Sequence, residues 1–246
     1  MRFFAITIRI ALCLSSLLSN ASATSQVSPV SKEIQTKQIV ALMVDANARR
    51  ARDLDGFTGK RIYKFQYRGF PVDKDAELVV SSRLDASGTK HFEVISESGS
   101  KMIVNRVLKR LLESERINST PQNQASVAVG PENYRFELLG MAHGSHGDCY
   151  RLHVEPLHDS KYLFRGEIWV DAADYAVERI DAELAKNPAL WIIRRAHIQS
   201  NYEKIGEFWA PSNNRSESTI TLGGTATLNV QYVDYTLTSR LPTPSH

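Results

Sequence analysis

The sequence has 246 residues, 42% hydrophobic and 23% charged, with a formal net charge of +3. A near-neutral balance removes the argument for a nucleic-acid partner, which would want a concentrated basic patch. The length suits one sizeable β-rich domain with room for a real core or a cavity.

Residues 1–23 read as a cleaved secretory signal. Arg2 and Arg9 are their only charges, a short apolar core runs from Ile10 through Leu18, and Ala21-Ser22-Ala23 offers a small-x-small cleavage site. The apolar run is too short to span a bilayer. Removing it lowers the net charge to +1 and leaves Cys149 without a disulfide partner, as a buried thiol in a strand of an exported, periplasmic protein. Residues 24–33 read as a flexible lead-in, 34–238 as a single domain and 239–246 as a C-terminal tail.

In chain order, Ile34 to about Arg52 is predicted helical, with Ile39, Leu42, Met43 and Ala46 as its apolar stripe. Asp53 to Gly56 is predicted to stop it. Strands follow near 58–70, 76–85 and 90–97. In the first, Tyr63, Phe65 and Tyr67 alternate with Lys64, Gln66 and Arg68, so one face is apolar and the other wet. A second helix opens at Ser98-Gly99-Ser100, with a serine cap. It carries Val104, Val107, Leu108, Leu111 and Leu112 on one stripe to about Arg116. A polar loop, Asn118 to Pro131, precedes strands near 133–140, 148–155, 162–171, 175–184, 190–203, 207–221 and 225–237.

About ten strands with only two helices, neither in a β-α-β series, predict an α+β fold. Its sheet is a strongly curved, open antiparallel β-sheet, an incomplete barrel, because twist accumulates across so many strands. The two amphipathic helices are predicted to cover the concave side.

The residues that invite chemistry are few. His143, Ser145, His146, Asp148 and Cys149 crowd one hairpin tip, but no Gly-x-Ser-x-Gly elbow or two-Cys, two-His zinc spacing is present. Cys149 and His153 would lie about 13 Å apart along one strand face. Asp171, Asp174, Glu178 and Asp181 read as a solvated acidic turn. No catalytic residue, metal or cofactor is expected, and the protein is read as a non-enzyme.

Four stretches carry a family likeness: Ser96 to Lys101, Lys161 to Asp171, Ala185 to Pro188, and Phe208 to Asn213. They resemble bacterial exported proteins described as outer-membrane lipoprotein-sorting proteins, distant relatives of the LolA and LolB carriers and of the sigma-regulator RseB. The likeness runs from about Ile34 to Tyr235. It implies a curved sheet closed on its concave side by helices, with acyl chains of lipoproteins or lipids held between.

The expected function is thus a non-catalytic periplasmic carrier or binding protein that holds a lipid or acylated lipoprotein in an apolar cavity; donor or acceptor proteins in the membrane would be further partners. The expected cavity residues are Tyr63, Phe65, Tyr67, Leu78, Val80, Phe92 and Val94, with Met43 and Leu108 as lid residues and Trp169, Trp191 and Trp209 at the pocket or its mouth. The alternative is a periplasmic sensor or scaffold of the same fold that recognises a protein partner. A monomer is expected in either case.

Overall fold

The computed structural model describes residues 29–85, 88–118, 125–186, 193–221 and 223–240. The expected signal, Trp191 with its turn, and residues 241–246 lie outside the described residues.

The first helix, α1 (Pro29–Asp53), starts earlier than its apolar stripe requires and converts residues 29–33 of the expected lead-in to helix. Ile39, Val40, Met43 and Ala46 form its buried stripe, so Val40 takes the place expected for Leu42, which is exposed. Arg50 and Arg52 in the last turn suit the negative end of the helix dipole. The helix stops at Asp53, within the expected Asp53 to Gly56, but Gly56 is not a turn residue: α1 runs straight into β1 (Leu54–Arg68), where Gly56 pairs with Thr238.

Two further strands, β2 (Lys74–Leu84) and β3 (Lys90–Gly99), complete the expected meander. Gly99 has φ +78°, and a side chain there would drive into the Asp75 carbonyl, so the reversal into the next helix needs glycine. The expected serine cap does not form: the Ser100 side chain makes no capping bond, while its amide donates to the Asp75 carbonyl at 2.8 Å. From there α2 (Lys101–Ile103), a π-helical segment (Val104–Leu108) and α3 (Lys109–Asn118) run on as one rod.

Seven strands follow: β4 (Tyr134–His143), β5 (Asp148–Pro156), β6 (Phe164–Asp171), β7 (Val177–Leu184), β8 (Ile193–Ile205), β9 (Phe208–Ile220) and β10 (Thr225–Ser239). The ten strands form one antiparallel sheet in the order β3-β2-β1-β10-β9-β8-β7-β6-β5-β4. Because β3 and β4 end the order, the sheet is open, an α+β architecture as expected.

Register shows what the concave face is made of. One row crosses all ten strands: Leu138, Leu152, Ile168, Ile180, Ser200, Asn214, Val230, Tyr63, Leu78 and Glu97. It is apolar from β4 to β7 and again from β10 to β2, but polar at Glu97 on edge strand β3 and on β8 and β9, where Asn214 Nδ2 donates to Ser200 Oγ at 2.8 Å. The opposite row, Glu137, His153, Glu167, Asp181, Gln199, Arg215, Asn229, Lys64, Glu77 and Ser98, is polar throughout. The core therefore comes in two pieces. α1 packs Ile39, Val40 and Met43 on β4 to β7, while the rod packs Ile103, Val104, Leu108 and Leu112 on Tyr63, Ala76, Leu78, Val80 and Val230.

Candidate functional site

The early strands are filled rather than hollow. Tyr63, Leu78, Val80 and Leu108 are buried against one another under the rod, with Phe65 and Phe92 partly buried at the margin of the same cluster. Met43 is buried in the other cluster, so the two expected lid residues serve different halves of the sheet. Tyr67 lies at the end of β1, its hydroxyl 2.9 Å from the Gly223 carbonyl that accepts from it. Val94 is 45% exposed on edge strand β3 and belongs to neither buried cluster.

Trp169 lies on the convex face, because it pairs with Arg151 and Arg179 while its neighbours Ile168 and Val170 fill the core. The Arg179 guanidinium sits 4.7 Å from the Trp169 ring centre. The strand period explains this: one residue of offset sends a side chain to the other face.

The open spaces follow one another along one side of α1. A groove of about 800 Å³ lies between the N-terminal half of α1 and edge strand β4. Val40, Ala41, Pro131, Tyr134 and Phe136 give it an apolar lining, and Lys32, Glu33, Lys37, Arg135 and Glu137 also border it. Thr36 joins its two walls: the hydroxyl accepts from the Leu138 amide at 3.2 Å and donates to the Lys32 carbonyl at 2.8 Å. That bond caps an amide which an edge strand would otherwise leave open.

A second groove, of about 600 Å³, lies along Val44 and Ala48 of α1 and meets the first at Pro131. Val129, Val177, Ile180, Tyr202 and Trp209 line it. Trp209 is thus the one expected residue that lines either groove among the described residues. Its indole N–H donates to Asp174 Oδ2 at 2.9 Å, and Lys204 meets the same oxygen at 2.8 Å. The hydrogen bond from Lys204 holds the Asp174 carboxyl below its ordinary range. Both volumes fall in the range of small-molecule clefts.

The hairpin between β4 and β5 builds a different kind of site. Glu178 accepts from the Cys149 thiol at 3.0 Å, and from both the hydroxyl and the amide of Ser145. Asp171 accepts the amides of Ala173 and Asp174. Asp171 and Glu178 are buried, which corrects the expected solvated turn. Cys149, Asp171 and Glu178 offer sulfur and oxygen atoms within 4.8 Å of one another, the donor set of a metal ligand group. Burial, with Glu178 beside it, pushes the Cys149 thiol up to about 12, so without a metal ion it is a thiol that donates to Glu178 at neutral pH. Chemically this cluster pins the hairpin tip to β7. The sequence places Glu178 in an acidic turn, but its bond with Cys149, 29 residues earlier, follows from no spacing rule.

A model of DUF5686, described as a family of unknown function, matches residues 128–236, from just before β4 into β10. No curated protein matches the chain. Among solved structures it is similar to a DUF1329 family protein from Desulfovibrio piger, at 14% identity over 84% of this chain and 95% of that one, with a TM-score of 0.43. It is also similar to a LolA superfamily protein from Nitrosomonas europaea, at 13% identity over 84% and 94%, TM-score 0.35. A third, from Vibrio parahaemolyticus, is described as an outer membrane lipoprotein-sorting protein domain, with 14% identity over 85% and 94% and a TM-score of 0.39. The last two names are among those of the resemblance carried by Ser96 to Lys101, Lys161 to Asp171, Ala185 to Pro188 and Phe208 to Asn213. At such identities and TM-scores the fold rests on the strand order itself.

Proposed function

We propose that the protein is a non-catalytic carrier or binding protein that holds acyl chains of lipids or lipoproteins in the periplasm. The observation that supports this is the pair of apolar-lined grooves, about 800 and 600 Å³, that follow one another along one side of α1 and meet at Pro131. Each methylene removed from water contributes about 0.8 kcal/mol, so a long chain binds with few polar contacts. The charged border of the first groove suits a ligand with one polar end.

Mild purification followed by native mass spectrometry, with titration of a fluorescent fatty acid, tests the reading. Copurifying lipid or saturable binding is expected. Ala41→Trp should obstruct the first groove and Ala48→Trp the second, and blocking the occupied one should weaken binding about tenfold or more. If no lipid copurifies and no acyl probe binds, the carrier reading fails; a stable complex with a protein would then favour the sensor or scaffold reading.

A further inference from the structure

The rod has an outer face that its inner packing does not explain. In an unbroken α-helix Leu111 would share the buried stripe of Val104, Val107 and Leu108. The π-helical segment instead widens one turn, so that Val104, Leu108 and Leu112 meet the sheet at steps of four. Leu111 is thereby turned out and is 40% exposed, with Met102 at 46% and Ile117 at 52%.

Cations accompany these side chains. The rod carries Lys101, Arg106, Lys109, Arg110 and Arg116 against Glu113 and Glu115. Glu115 turns inward to Arg61 and Lys90, Lys109 pairs with Glu97 of β3, and Arg116 pairs with Glu113. Lys101, Arg106 and Arg110 are exposed, with no ion pair among the described residues. Met102, Arg106 and Arg110 follow one another at steps of four.

We infer that this outer face of the rod docks on an anionic lipid surface. Met102 and Leu111 enter the boundary between headgroups and acyl chains, and Lys101, Arg106 and Arg110 meet headgroup phosphates, as in helices that lie in a membrane interface. Apolar and basic side chains strung along one helical run suit a surface of anions. The surface does not depend on what the grooves hold.

Co-sedimentation of the full chain with vesicles tests it, using phosphatidylglycerol with phosphatidylethanolamine against phosphatidylcholine alone. Binding should favour the anionic vesicles at least tenfold. Arg106→Gln with Arg110→Gln should weaken it about thirtyfold, taking roughly fivefold per charge near such a surface. Met102→Ser with Leu111→Ser should weaken it too, whereas Lys60→Gln with Lys64→Gln on β1, an equal loss of charge, should leave it within twofold. Equal loss in both charge variants, no loss in the rod variants, no preference for anionic vesicles, or capture of an acidic protein without vesicle binding each overturns the inference. Fatty-acid binding that persists when vesicle binding fails sinks this inference alone, and the converse sinks the carrier reading alone.

Discussion

Glu178 is a buried carboxylate held by three donors, and its environment sets how the hairpin tip responds to acid. Burial disfavours its charge, yet the bonds from Cys149 and Ser145 outweigh that and hold the carboxyl below its ordinary value. A group depressed in the folded state stabilises fully above its unfolded value, and that contribution is lost as pH falls through the folded value. Replacing Glu178 by Gln should therefore cost about 1.5–3 kcal/mol at neutral pH, the range for hydrogen bonds to a charged group. It should also make the acid limb of stability against pH less steep; urea unfolding between pH 3 and 7 checks both. The residue-scale signals in the sequence were uneven. Arg61 falls in phase with Tyr63 and Phe65 in the period of β1, so its place on the buried face could be read. Its partner Glu115 could not, because no local rule joins a strand to a helix 54 residues later.

At the scale of elements, that pair anchors the rod. Arg61 is 3% exposed, lies between the rings of Phe92 and Tyr232 at 5.1 and 5.0 Å, and donates to Glu115 at 2.6 Å. Lys90 of β3 reaches the other Glu115 oxygen at 2.8 Å. One carboxylate thus ties α3 to both β1 and β3. Glu115→Ala leaves a buried guanidinium without its counter-ion and should cost about 3–5 kcal/mol. Hydrogen exchange should rise first in residues 109–117, ahead of β4 to β7. An unchanged melting temperature and exchange pattern would remove the anchor role. The strands themselves were legible because alternation persists in nearly all of them. The start of α1 was not: a Ser/Gln/Pro-rich stretch reads as loop, yet proline is tolerated in a first helical turn. Nor was the π-helical segment, which only the packing of Val104, Leu108 and Leu112 reveals.

At the scale of the whole molecule, β10 joins two apolar clusters that otherwise stand apart. It pairs with β1 on one side and β9 on the other. A chain ending at Gly224 should therefore lose cooperative thermal unfolding and aggregate, since both neighbours become unpaired edges. A sharp, reversible transition in circular dichroism would contradict this. The polar seam between the clusters was visible in advance: Ser212-Asn213-Asn214-Arg215-Ser216-Glu217 in β9 has no apolar alternation. An apolar trough running unbroken across the sheet could not include it.

The place of β10 in the order also sets a timetable. Lys60 meets Asp234 across 174 residues of chain, and every rung between β1 and β10 spans a comparable separation. Such rungs form late, because the intervening loop must close before they reward it. The meander of β1 to β3 with its rod has only neighbouring segments to pair with until then. Thr36 of α1 meets Leu138 of β4 across 102 residues, a second such closure, so assembly should wait on both, and the rate of refolding should answer to substitutions in β10 and in the α1–β4 contact more than to those in the turns between β4 and β7.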